Sequence, residues 1–223
     1  MFIPFYDQNP RTYVRRQYVT WVLIVVNVLV FLILEAGGEA PSVAAAAFGF
    51  GAVPALFGTD ALPGLGYLTL VTYAFVHGDF WHLGGNMLFL WVFGDNVEDA
   101  LGHVRFLAFY LLCAIAAALL HIAMLPASAA PMIGASGAIA GIVAAYLMLH
   151  PHVRIWVLLL GRIPVPLRAY WVLGAWIVFQ IVMVLQISDD SVAWWSHIGG
   201  LAAGALLILV MRRPGVALFD RAR

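Results

Sequence analysis

At 223 residues the chain is long enough for one domain, yet 64% of it is hydrophobic and only 10% charged. A water-soluble fold keeps nearer a quarter of its residues charged, so a soluble enzyme is excluded. The 11 basic and 11 acidic residues balance, leaving no basic surface for nucleic acid, and the lone Cys113 cannot form an intrachain disulfide.

A bilayer span needs about 20 apolar residues. The chain opens on a polar segment, 1–17, and the first apolar run follows at Tyr18–Ala36. That run starts late and lacks a small-residue cleavage site, so it reads as a membrane helix rather than a cleavable signal. Residues 37–66, rich in Gly, Ala and Pro, are apolar for a loop and are expected in the membrane interface. A shorter, more polar span is centred on Trp81–Gly94. Three further features follow in order: the spans Phe106–Leu125 and Pro131–Leu149, and then Ile155–Gly161, too short to cross and fenced by Arg154 and Arg162. Ala169–Ile187 and Val192–Met211 complete six spans. The expected fold is an all-α membrane protein, one six-helix bundle over residues 18–212, with tails 1–17 and 213–223.

Charge placement orients this bundle. All the basic residues are Arg. With the N-terminus inside, the inner segments 1–17, 95–105, 150–168 and 212–223 hold every one of them. Outer segments hold Glu39, Asp60, Asp79, Asp189 and Asp190 and no Arg. Cytoplasmic enrichment of basic residues is the usual topology signal, so both termini are expected in the cytoplasm, in a bacterial inner (plasma) membrane.

The second, fourth and sixth spans then run from outside to inside, and residues at their starts lie at one depth. Those residues include His82 and Asn86, Ser136, and His197. His82 and Asn86 are i, i+4 and share a helix face. Gly200 and Gly204 follow His197 on its own face, and Gly137 and Gly141 form a small-xxx-small pair beside Ser136. Such pairs let membrane helices approach closely, bringing Ser136 within hydrogen-bond reach of His197. Taken singly, the Ser could bond back to its own helix and the His residues could be interfacial. Taken together, polar groups at one depth beside close-packing Gly mark a functional site.

Other polar residues read as structure. His103, His150 and His152 fall on the inner surface, and His121 lies near the outer end of the third span. A zinc site on His77, Asp79 and His82 has no H-E-x-x-H to support it, and no metal or other cofactor is expected. Asp95, Glu98 and Asp99 suggest a helix-end cluster, Asn27 and Gln180 packing hydrogen bonds, and Trp81, Trp194 and Trp195 an aromatic belt.

A Ser becomes a useful nucleophile when a His takes its proton. No acid is obviously placed to orient His197, although Asp189 and Asp190 lie just upstream, so the expected unit is a dyad. His82, Asn86 and the free backbone amide of Ser136 could stabilise an oxyanion. The expected chemistry is hydrolysis by acyl transfer inside a membrane.

At these residues the sequence resembles the rhomboid family of intramembrane serine proteases. The matching pieces are "HGDFWHLGGNM" (77–87), "GASG" (134–137), "HIGGLAAG" (197–204) and "FGDNVEDALGHVRF" (93–106). The resemblance covers about residues 18–212. It implies Ser136 as nucleophile, His197 as general base, His82 and Asn86 at the oxyanion, and Gly134 shaping that site. It also implies a cavity open to the outer side, substrates that are transmembrane segments of other proteins, and no cofactor. Two departures stand out. Some members stack an aromatic residue on the catalytic His, four positions after the Ser, where this chain has Ala140. The first outer loop also lacks the Trp-Arg pair of some members. A pseudoprotease would usually lack the Ser or the His, and a transporter would be expected to show repeats or broken midplane helices; neither pattern is present.

Overall fold

The computed structural model describes residues 2–36, 41–59, 65–186 and 192–220. Its elements are β1 (Phe2–Asp7), α1 (Tyr18–Ala36), α2 (Pro41–Phe50), α3 (Thr69–Thr72), α4 (Phe80–Leu101), α5 (His103–Met124), α6 (Ser136–Leu149), β2 (Arg154–Leu159), β3 (Ile163–Arg168), α7 (Ala169–Gln186) and α8 (Trp194–Met211). Four of these helices, α1, α5, α7 and α8, are long and apolar enough to cross a membrane. The chain is an integral membrane protein built as a helical bundle.

The two remaining expected spans, α4 and α6, differ from those four in instructive ways. α4 is long but carries polar residues along its length. α6 has only 14 residues and rises about 21 Å, short of a hydrocarbon core of about 30 Å. The expected span began at Pro131, but the helix starts at Ser136. Between them Met132 pairs with Ala52, and Gly134 takes φ +108°, a backbone conformation that suits glycine and would strain a side chain. The segment before α6 is therefore not helical, and the helix begins at Ser136.

α6 is the central helix. From Gly137 to Tyr146 every residue is buried. Its contact with α8 is backbone against backbone: a Cβ on Gly200 would strike the Gly137 carbonyl, and one on Gly204 the Gly141 backbone. Gly199 of α8 meets α5 in the same manner, where a Cβ would lie 2.9 Å from the Ala116 carbonyl oxygen.

The arginine-bearing end is tied by carboxylates from the last turns of α4. Fully buried Glu98 accepts from the Val19 and Thr20 amides (2.9 and 2.8 Å) and the Thr20 hydroxyl (2.7 Å), capping α1. An anion at a helix N-terminus satisfies free amides and complements the dipole. Asp99 accepts from the amides of Thr12, Tyr13 and Val14 at 2.5–2.7 Å, fastening the segment before α1. The C-terminal segment docks here as well, with the Phe219 and Asp220 amides bonded to the carbonyls of Met148 and Leu149.

A three-stranded antiparallel sheet, in the order β1-β2-β3, also lies at this end. The sequence reading saw Ile155–Gly161 only as an apolar run too short to cross. It forms β2 and the turn after it, and β2 pairs with the first residues of the chain on one side and β3 on the other. Asp7 ends β1 and accepts from the Tyr146 hydroxyl at 2.6 Å and from Asn96 Nδ2 at 3.0 Å.

Replacing Gly200 by Ala should destabilise the protein by about 3 kcal/mol, through forced separation of α6 and α8. Gly84→Ala, where a Cβ has nothing within 4 Å, should leave stability unchanged or raised by up to about 1 kcal/mol; unfolding in mixed detergent micelles measures both. Burial raises the Asp7 pKa from 3.8 to about 7, despite the Tyr146 bond and aided by nearby Asp95. The stability tied to its neutral form is full below 3.8 and lost as pH rises through 7. Asp7→Asn should flatten that decline in melts recorded across this range.

Candidate active site

Each predicted polar residue reaches the site by a local device. Asp79 caps α4, accepting from the amides of Trp81 (2.8 Å) and His82 (2.9 Å), which fixes His82 in the first turn with Asn86 one turn further along. The segment before α6 is pinned on both flanks. The Met132 and Ala52 amides exchange bonds with each other's carbonyls, and the Gly134 amide donates to the Tyr73 carbonyl at 2.9 Å. The Ala135 amide donates to Nε2 of fully buried His77 at 3.4 Å. Ser136 then opens α6, where a first-turn amide has no intrahelical acceptor.

His197 lies in the first turn of α8, and its Nε2 is 2.8 Å from Ser136 Oγ. On the other side of the ring, Nδ1 is 2.8 Å from Gln180 Oε1 in α7. An amide oxygen only accepts, so Nδ1 carries the hydrogen. Nε2 is therefore left with a lone pair facing the Ser136 hydroxyl, which donates to it. The sequence reading treated Gln180 as a packing residue; here it selects the tautomer of His197. Asp189 and Asp190, the alternatives considered for this position, lie outside the described residues.

The ring is also held by aromatics. Trp176, one turn before Gln180 on α7, lies 6.2 Å from the His197 ring centroid at 35°, and Trp194 lies 5.8 Å away at 89°. These rings flank His197, while Ala140 stands where some relatives stack an aromatic residue. Ala140 is fully buried, and a Cβ on Gly200 would come within 3.3 Å of its side chain. A large ring there would collide with α8. The site exchanges an aromatic from α6 for two others and an amide.

His82, Asn86 and Gly134 converge. A Cβ on Gly134 would collide with His82 Nε2 and approach Asn86 Nδ2 at 3.6 Å. Only a residue without a side chain lets the His82 ring pack this closely. Asn86 is buried, and its Nδ2 has no hydrogen-bond partner. An unpaired buried donor costs about 1–3 kcal/mol, and this one lies close to the Gly134 backbone. His77 stacks edge-on against His82 at 5.1 Å, so the pair His77 and His82 is a support for this corner. Asp79 of the conceivable zinc set is committed to its cap. A cavity of about 550 Å³ borders His82, Ser136 and His197 and is walled by Gly78, Met132 and Ala193 among others. Half-buried Ser136 faces it.

Fold and site together define a membrane-embedded helical bundle with a hydrogen-bonded serine–histidine pair facing a cavity near the end remote from its arginines. Residues 65–214 match the family model described as Rhomboid domain. The chain is 36% identical over 149 residues to Rhomboid protein 1, mitochondrial, of Saccharomyces cerevisiae, covering 62% of this chain and 40% of that protein. It is 29% identical over 154 residues to RHOMBOID-like protein 12, mitochondrial, of Arabidopsis thaliana, covering 62% of this chain and 44% of that one. The matched region thus spans less than half the length of either relative. With the family model covering most of its length, this chain belongs to the rhomboid family.

Proposed function

We propose that the protein is an intramembrane serine endopeptidase that hydrolyses peptide bonds in or near transmembrane segments of other membrane proteins. The observation that carries this reading is the hydrogen-bonded chain Gln180–His197–Ser136, whose Ser136 and His197 border a cavity.

The chemistry follows from the atoms. Ser136 Oγ attacks the scissile carbonyl carbon as its proton passes to His197 Nε2. Gln180 holds the Nδ1 hydrogen and keeps the ring in plane with that transfer. The carbonyl oxygen, now anionic, turns toward the Gly134 corner, where Asn86 Nδ2, His82 Nε2 when it bears hydrogen, and the Ser136 amide can donate to it. Collapse of the tetrahedral adduct breaks the C–N bond, and His197 returns its proton to the leaving amine. A water molecule then repeats the attack on the acyl-enzyme, with His197 as base again. The cavity bordered by His82, Ser136 and His197 admits that water, which the hydrocarbon would not.

Residues 18–212 carry this chemistry, and the flanking 1–17 and 213–223 lie on the cytoplasmic side. The membrane is assigned as a bacterial inner membrane. Both relatives are mitochondrial by name, and the orientation rests on arginine placement alone. A substrate then enters from the bilayer and is cut near the outer surface.

Fluorophosphonate labelling of the protein in liposomes should vanish in Ser136→Ala and fall sharply in His197→Ala; equal labelling of wild type and Ser136→Ala would falsify the nucleophile. Cleavage of a model transmembrane substrate should fall about a hundred- to a thousandfold in Asn86→Ala. Gln180→Leu should lower kcat about ten- to a hundredfold with KM little changed. Gln180→Glu, which keeps an acceptor oxygen at Nδ1, should retain more of the rate.

A further inference from the structure

The β2–β3 hairpin presents a face that the bundle covers only in part. Register pairs Ile155 with Leu167, Val157 with Val165 and Leu159 with Ile163. Residues directly opposite in an antiparallel ladder share a face, and so do alternate residues of one strand. These six side chains are therefore one aliphatic face. Ile155 and Val157 are fully buried and belong to the main core, which shows that this face is turned toward the bundle. Cover is lost toward β3 and the hairpin tip: Leu167 is 39% exposed, Leu159 44% and Ile163 55%, with Leu160 in the turn at 72%. The same face continues past the edge of the protein.

Three observations identify what lies under that overhang. First, β3 ends at Arg168 and the membrane-crossing α7 begins at Ala169 with no linker. Exposed Trp171, two residues into α7, is the kind of residue that marks a membrane–water interface. The hairpin base is thus at the bilayer surface, and a face turned toward the bundle is also turned toward the lipid around it. Second, from Pro151 to Gln186 the chain has Arg154, Arg162 and Arg168 and no acidic residue. Arg154 and Arg168 pair with each other on the face shared by Pro164 and Pro166, so the charge of the hairpin base is turned away from its aliphatic side and the hairpin is two-faced. Third, the free edge of β3 carries Pro164 and Pro166, which lack amide hydrogens and discourage a further strand from pairing there.

We propose that the hairpin is an interfacial anchor. Its aliphatic overhang, Leu159, Leu160, Ile163 and Leu167, inserts into the leaflet at the arginine-bearing end, while the opposite face, with Arg154 and Arg168, stays on the aqueous side. The anchor ties the start of α7 to the membrane surface, and α7 is the helix that presents Trp176 and Gln180 to His197. The proposal rests on the sheet register and burial, not on the hydrolase reading.

The test uses the full chain, reconstituted in vesicles of phosphatidylcholine alone or with an equal part of phosphatidylglycerol. A nitroxide is attached at Ile163→Cys, on the overhanging face, or at Pro164→Cys, on the opposite face; the native Cys113 is buried and stays unlabelled. Ile163→Cys should be about tenfold less accessible to a water-soluble nickel chelate than Pro164→Cys, and more accessible to oxygen. Leu167→Cys should repeat the Ile163→Cys result if the tip tolerates labelling poorly. The difference between the two faces should hold in both lipid compositions. Equal nickel access on both faces would overturn the anchor. Spin–spin broadening at Ile163→Cys that disappears on dilution with unlabelled protein would overturn it too, assigning the face to a second copy of the chain.

Discussion

The position of the serine–histidine pair depends on one contact, the approach of the α6 and α8 backbones. Lipid tails are as apolar as the side chains they touch, so nothing resembling the hydrophobic effect of water presses these helices together. Dispersion contacts and the absence of side chains do that work, at Gly137 and Gly141 on one helix and Gly200 and Gly204 on the other. Ser136 and His197 stand one residue before, and three and seven residues before, these glycines. A methyl group inserted in the contact would be transmitted directly to the 2.8 Å bond between them. Ala140 belongs to the same constraint. Its small size lets α8 close on α6, and the ring contacts that orient His197 come instead from α7 and from α8 itself.

The two ends of the bundle divide stability and reactivity between them. At the arginine-bearing end, buried carboxylates are saturated with partners: Glu98 bonds the Val19 and Thr20 amides, the Thr20 hydroxyl and His103, and Asp99 holds three backbone amides. These bonds join α1, α4 and the N-terminal segment far from the cavity. At the other end one buried donor, Asn86 Nδ2, is unpaired. A site that must receive a developing negative charge cannot have all its donors occupied beforehand. The well-bonded end supports the open one.

Much of this was legible in the sequence because successive spans are expected to alternate in direction and every Arg falls in segments assigned to one side. That parity, with the 1.5 Å rise of a helix, was enough to bring His82, Asn86, Ser136 and His197 to one level. Gln180 was missed because parity was applied only to spans that begin at that level. α7 arrives there from the other direction, and Gln180, paired with Trp176 at i, i+4, is near its far end. Counting depth back from that end would have matched Gln180 to His197. The sheet was missed for a different reason. β2 has apolar residues on both faces, so it shows no alternation, and one of its partners is Phe2–Asp7, far away in sequence. The late start of α6 was not visible either, since the non-helical segment before it is as apolar as the helix.

The most direct measurement is the structure of the protein after reaction with a phosphonate inhibitor, whose tetrahedral phosphorus stands in for the adduct of peptide attack. The account predicts a covalent bond from Ser136 Oγ to phosphorus. It also predicts the phosphoryl oxygen beside Gly134 within hydrogen-bond distance of Asn86 Nδ2, and His197 still bonded to Gln180. A phosphoryl oxygen turned away from Asn86 and His82, or phosphonylation at any other residue, would contradict it.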